Sequence, residues 1–143
     1  MIQRFQTIWL LLAGVCAFLT VRLSFFSGNF QEAGSIVPPA FRFVNAGFNM
    51  VVLIVTILIA CIAVVDIFLY KNRKLQGRIA LLGILLALLN IYLYYRQTQR
   101  FIAGQGNYDI TAIFTLLIPI FFFLAYRGIA KDSKLVRSLD RLR

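Results

Sequence analysis

Phe48-Asn49-Met50-Val51-Val52-Leu53-Ile54-Val55-Thr56-Ile57-Leu58-Ile59-Ala60-Cys61-Ile62-Ala63-Val64-Val65-Asp66-Ile67-Phe68-Leu69 is apolar from end to end except at Asn49, Thr56 and Asp66. A run of this kind approaches the roughly 20 apolar residues that carry a helix across the hydrocarbon core of a bilayer. Three more runs surround it: Ile8 to Phe26, Ile79 to Tyr95 and Ile110 to Tyr126. Four spans and their connections consume the 143 residues, and the longest polar stretches, Ser27 to Gly47 and Arg127 to Arg143, are too short to build a core of their own. Composition agrees, with 61% hydrophobic and 14% charged residues where a soluble domain has about 25% charged. The expected fold is an all-α membrane protein: four transmembrane helices in an antiparallel bundle over residues 1–126, then a short C-terminal basic amphipathic helix over residues 127–143.

Lys and Arg outnumber Asp and Glu by 15 to 5, a net charge of +10. In a soluble protein such an excess suggests nucleic acid; in a membrane protein it reports orientation, because basic residues in short loops are retained on the cytoplasmic side. Nucleic acid is therefore not an expected partner. Arg4 precedes the first span, Lys71, Arg73, Lys74 and Arg78 lie between the second and third, and Arg127, Lys131, Lys134, Arg137, Arg141 and Arg143 follow the fourth. Only Arg22, Arg42, Arg96 and Arg100 fall opposite, so both termini are expected in the cytoplasm. The first run imitates a secretory signal, and Leu12-Ala13-Gly14-Val15-Cys16 is loosely similar to a lipoprotein signal. Val15 stands where a small residue is needed and no A-x-A site follows, so an uncleaved anchor is expected.

Catalytic vocabulary is sparse. The chain has no histidine, which removes the commonest general base and metal ligand. Its five acidic residues are all separated by more than four positions, and no P-loop or nucleophile-elbow motif occurs. Cys16 and Cys61 have no C-x-x-C spacing and read as small packing residues. Gly104-Gln105-Gly106 reads as a loop. Neither an enzyme nor a cofactor nor a metal is expected.

What remains is the polar content of the spans. Arg22, Asn49 and Asn90 all lie toward the outer ends of their runs and form a candidate intramembrane polar cluster, with Glu32 and Asp109 available from the outer loops. Arg22 is also short enough of Phe26 for its stem to snorkel to the headgroups. Asp66, the one carboxylate inside a run, is placed for an ion pair at the cytoplasmic interface with Lys71 or Arg73; a proton or cation site is its alternative reading. Gly77 and Gly83 allow close helix approach, Pro119 predicts a bend, and Phe121 to Phe123 read as bulk facing lipid and neighbouring helices. Between Ser27 and Gly47, Gly28-Asn29, Gly34-Ser35 and Pro38-Pro39 exclude a continuous helix. The aromatics of that segment place it along the membrane surface or folded back over the helices. Arg22, Gly28, Asn29 and Phe30 also align at a constant offset with Arg100, Gly106, Asn107 and Tyr108, a faint internal echo.

In the tail, Leu135, Val136, Leu139 and Leu142 recur at the spacing of one helical face. Lys131, Lys134, Arg137, Arg141 and Arg143 are candidate contacts to an anionic inner leaflet or to a protein partner. The opening Met1-Ile2-Gln3-Arg4-Phe5-Gln6-Thr7-Ile8-Trp9 and the ending Lys131-Asp132-Ser133-Lys134-Leu135-Val136-Arg137-Ser138-Leu139-Asp140-Arg141-Leu142-Arg143 resemble an uncharacterised family of four-helix bacterial inner-membrane proteins from the Bacteroidetes, domain of unknown function 4293. The resemblance implies a multi-pass protein of the bacterial inner membrane and carries no activity. The reading reached from the residues is an interaction or accessory component of that membrane. Its expected partners are the lipid bilayer, a membrane or cytoplasmic protein, and further copies of itself. The alternative is an oligomeric small-solute or ion transporter or channel.

Overall fold

Asn49 decides where the quoted run becomes a helix. Its backbone is extended (φ −137°, ψ 129°) and its Oδ1 accepts the Val51 N–H at 2.9 Å, starting α2 (Met50–Phe68). In the computed structural model, which describes residues 3–30 and 38–140, Asn72 does the same for α3 (Arg73–Thr98), accepting the Leu75 N–H at 3.4 Å. Only the tight turn Leu69–Lys71 separates α2 from α3, so the two form a hairpin. Completing the set are α1 (Gln3–Arg22) and α4 (Ala112–Asp140). All four helices contain stretches long and apolar enough to cross a membrane: Phe5–Arg22, Met50–Phe68, Arg73–Thr98 and Ala112–Lys134.

Each helix packs against two others, α1 on α2 and α4, and α3 on α2 and α4. The buried faces follow one rule. Gln6, Leu10, Ala13, Ala17 and Thr20 on α1 are buried, as are Val52, Thr56, Ile59, Ala63 and Asp66 on α2. On α3 the series is Gln76, Ala80, Gly83, Ala87, Asn90, Tyr94 and Gln97; on α4 it is Thr115, Ile118, Phe122, Ala125 and Ile129. Every series alternates steps of three and four residues, the repeat that keeps a stripe facing its neighbours in a left-handed crossing. Small and polar residues are interspersed with larger apolar ones in the stripes, whereas Phe18, Phe68 and Leu85 are more than two-thirds exposed. In water an apolar surface of that extent would drive association; against acyl chains it is the matching surface.

One end of the helices is capped by an element absent from the expected all-α fold. Strands β1 (Phe26–Phe30), β2 (Ala40–Val44) and β3 (Phe101–Tyr108) form an antiparallel sheet in the order β2-β1-β3. Gly104-Gln105-Gly106, expected as a loop, lies within β3. The first span ends earlier than expected, at Arg22, because Phe25 and Phe26 are drawn into a second core with Val44, Ala46, Val52, Tyr94 and Phe101. Phe26 packs edge-on against Phe101 and Tyr108 at 5.2 Å. Gly28 pairs with Gly106 across the strands, and the approach is so close that a Cβ on Gly28 would lie 2.7 Å from Gly106 Cα.

The far end differs too. A separate tail helix was expected after Tyr126, but α4 runs unbroken from Ala112 to Asp140, straight through Pro119 and the 126/127 boundary. Nothing between Tyr126 and Ser133 breaks it, since Gly128 is tolerated in a helix interior at a cost of about 1 kcal/mol. Phe122 is fully buried rather than lipid-facing, Phe121 stacks on Trp9 at 5.9 Å, and Phe123 is about half exposed.

Candidate functional site

The interior stripes end in polar side chains, and those remote from the sheet are the least satisfied. Asp66 closes the α2 stripe fully buried, and neither carboxyl oxygen has a hydrogen-bond partner among the described residues. Gln76, in the first turn of α3, donates from Nε2 to the Asp66 backbone carbonyl at 3.1 Å. That bond fastens the two helices and leaves the carboxyl itself unattended. On α1, Gln6 is 5% exposed, and its Nε2 likewise has no partner. Gln6 is accommodated by Gly128 of α4, where a Cβ would lie 2.8 Å from Gln6 Cγ.

Above this layer Arg73, the first residue of α3, meets Asp132 of α4. Its Nη1 lies 3.0 Å from Asp132 Oδ2 and donates to the Asp132 carbonyl at 3.2 Å. A cavity of about 20 Å³ lies among Gln6, Tyr70, Arg73, Gln76 and Asp132, which suffices for one water, for which roughly 10–15 Å³ is needed. The arrangement can therefore hold a small polar guest next to carboxamide and carboxyl groups. The carboxyl at this cavity is that of Asp132, and Asp66 is not among its lining residues.

The expected pairing of Asp66 with Lys71 or Arg73 needs correcting. Asp66 belongs to the interior stripe and is fully buried, whereas the Arg73 side chain, 29% exposed, turns to the surface where α4 brings Asp132. The Lys71 side chain lies outside the described residues. Arg22, Asn49 and Asn90 do not form one cluster either. Arg22 is exposed at the end of α1, and Asn49 is engaged in capping α2. Asn90 is fully buried on α3 and donates from Nδ2 to Thr56 Oγ1 at 3.2 Å, while the Thr56 hydroxyl donates to the Val52 carbonyl at 2.8 Å. This pair is internally satisfied, as buried polar groups generally are. Asp109 works in the sheet instead, accepting from Ser27 Oγ at 2.9 Å, and Glu32 lies outside the described residues.

Of the basic tail, Lys131 and Lys134 are exposed on α4. Arg137 is carried on the same helix with its side chain undescribed, and Arg141 and Arg143 lie outside the described residues. Sequence reasoning missed Gln6, Gln76 and Asp132. The first two were detectable, since Gln6 stands four before Leu10 and Gln76 four before Ala80 on stripes that are otherwise small or apolar. Asp132 as the partner of Arg73 had no local signal, because the two are joined only by the packing of α3 on α4.

The chain belongs to the family described as a domain of unknown function (DUF4293), whose model matches residues 2–142. No curated protein and no solved structure matches it.

Proposed function

We propose that this family member is a non-catalytic integral protein of the bacterial cytoplasmic membrane. Its helices would span the lipid as an antiparallel bundle with both termini in the cytoplasm. In this reading it is an interaction or accessory component that presents its basic C-terminal helix to a protein partner. The observation that carries the reading is the continuity of α4 from Ala112 to Asp140. Those 29 residues make a rod of about 43 Å at 1.5 Å per residue, against a hydrocarbon core of about 30 Å. A helix that lies flat on the inner leaflet must break or bend where it leaves the span; this one continues as a single helix and is held at Asp132 by Arg73. Its basic end is thus offered outward on a rigid post rather than laid on lipid. A packing role is supported by the interior as well, where Leu10, Ile59, Ile118 and Phe122 are buried together in one core cluster.

A photo-reactive amino acid placed at Lys134 in intact cells tests this, with one at lipid-facing Leu85 as the reference. The expected result is a discrete protein adduct at position 134 only, lost when Lys131 and Arg137 are changed to Glu. Adducts to lipid alone, or a protein adduct indifferent to that charge reversal, would overturn the reading.

A second reading, an oligomeric small-solute or ion transporter or channel, draws on the unpartnered carboxyl of Asp66. It requires that Asp66→Asn abolish the cellular role of the protein; retention of that role in Asp66→Asn, with loss on removing residues 135–143, rejects transport.

A further inference from the structure

At the sheet end a cleft of about 730 Å³ opens between the start of α2 and the last turns of α3, within the roughly 300–1,000 Å³ typical of ligand sites. Its charged rim is Arg96 and Arg100, both exposed, and neither has a carboxylate partner among the described residues. The Arg96 guanidinium donates to the Tyr92 hydroxyl at 3.4 Å. The cleft is also lined by Asn49, Val51 and Val52 at the start of α2. Deeper still sits Gln97, 6% exposed, whose buried Oε1 has no hydrogen-bond partner. A cleft with two guanidiniums that lack a carboxylate, and one buried acceptor that lacks a donor, among the described residues calls for a ligand that carries both an anion and a hydrogen-bond donor.

Independently of the reading of the basic tail, we infer that this cleft seats the headgroup of a glycerol phospholipid: its phosphodiester on Arg96 and Arg100, a headgroup hydroxyl donated to Gln97 Oε1. Guanidinium forks match phosphate oxygens in geometry as well as charge. Among the described residues no acidic side chain lines the cleft, so an anionic head is preferred to a zwitterionic one. The lipid source follows from the surroundings. Tyr92 and Tyr95, each just over half exposed, lie at the cleft as interfacial tyrosines do. Away from the cleft the same two helices expose Ile54, Leu58, Leu85 and Leu89, a surface along which acyl chains can run. A soluble phosphate would use the arginines and nothing below them.

Native mass spectrometry of the full chain in a neutral detergent reads this directly, with phosphatidylglycerol, phosphatidylmethanol, phosphatidylcholine and glycerol 3-phosphate as probes. One phosphatidylglycerol is expected to remain bound about tenfold more tightly than phosphatidylcholine, whose head has the same phosphodiester but brings a cation to the guanidiniums and no hydroxyl donor to Gln97. Arg96→Gln with Arg100→Gln should weaken binding of both lipids and narrow the difference to what the Gln97 contact supports, and Arg96→Lys with Arg100→Lys should recover only part of the loss, because the fork is lost. Gln97→Leu should erase the preference for phosphatidylglycerol over phosphatidylmethanol, which has the same charge and no hydroxyl donor. Arg127→Gln, at the opposite end, should change nothing; an equal loss there would mean non-specific attraction and overturn the site. Binding of glycerol 3-phosphate as tight as that of the lipid would likewise overturn the lipid assignment. Circular dichroism of each variant confirms that the helices persist.

Discussion

Gly83 and Gly77 look alike in the sequence, each a small residue on a helix that needs close neighbours, and the structure separates them. A Cβ on Gly83 would lie 2.7 Å from Phe122 Cδ1, and that ring is fully buried with nowhere to turn. A Cβ on Gly77 would meet Ile129 at 3.7 Å, an ordinary contact. Gly83→Ala is therefore expected to destabilise by roughly 1–3 kcal/mol, the usual cost of overpacking. Gly77→Ala should be neutral or gain up to about 1 kcal/mol from helix propensity. Thermal unfolding in detergent, followed by circular dichroism, checks both; equal midpoints would contradict the packing described. The sequence could propose both glycines but could not rank them, since the ranking depends on where α4 places one ring. Asp66 teaches the same point. Nearness in the chain suggested Arg73 as its partner, yet helical phase turns Asp66 inward and leaves Arg73 to Asp132.

Helices were legible because their signals are local. The run from Met50 to Phe68 announces itself by hydropathy, and Asn49 and Asn72 mark two starts by their capping chemistry. Strands were not, because their evidence is divided among distant segments. Phe26, Gly28 and Phe30 alternate as a strand should, and so do Phe41 and Phe43, but glycines and prolines around them favour a loop until β3 supplies a third strand. Whether α4 stops at Tyr126 was likewise undecided by composition, which changes there while the helix does not. Among the described residues Arg73 ties the last turns of α4 to α3 at Asp132, so Arg73→Gln or Asp132→Asn should loosen them selectively. A partly exposed pair contributes only about 0.2–1 kcal/mol, so global unfolding should barely move. Hydrogen exchange of amides 133–140 should speed by a few-fold, with amides 113–126 unchanged. Uniform acceleration along α4 would show that the pair supports the whole helix instead of its end.

The two halves of the molecule share a plan, helix–strand–helix, with β2 as an insertion in the first. The faint echo of Gly28-Asn29-Phe30 in Gly106-Asn107-Tyr108 becomes physical in the sheet, where Gly28 lies directly across from Gly106 in antiparallel register. Two copies of one segment that pair antiparallel at equivalent residues are related by a local two-fold axis, and that axis passes between the glycines. The same operation exchanges α1 with α3 and α2 with α4, which preserves the observed packing of α1 and α3 each against α2 and α4. The halves touch along α1–α4, α2–α3 and β1–β3, so a large share of what holds the fold lies between them. Only the turn Leu69–Lys71 and Asn72 joins them covalently. Cutting the chain between Lys71 and Asn72 and expressing the pieces together should therefore yield a non-covalent complex that co-purifies in mild detergent. Gly106→Ala in the second piece should reduce recovery, because a Cβ there would come within 3.1 Å of the Ser27 carbonyl oxygen and into the Phe26 ring. Recovery of each piece alone in folded form, with no exchange into the complex, would show that the stripes close within each half and that the sheet is a late addition to two independent hairpins.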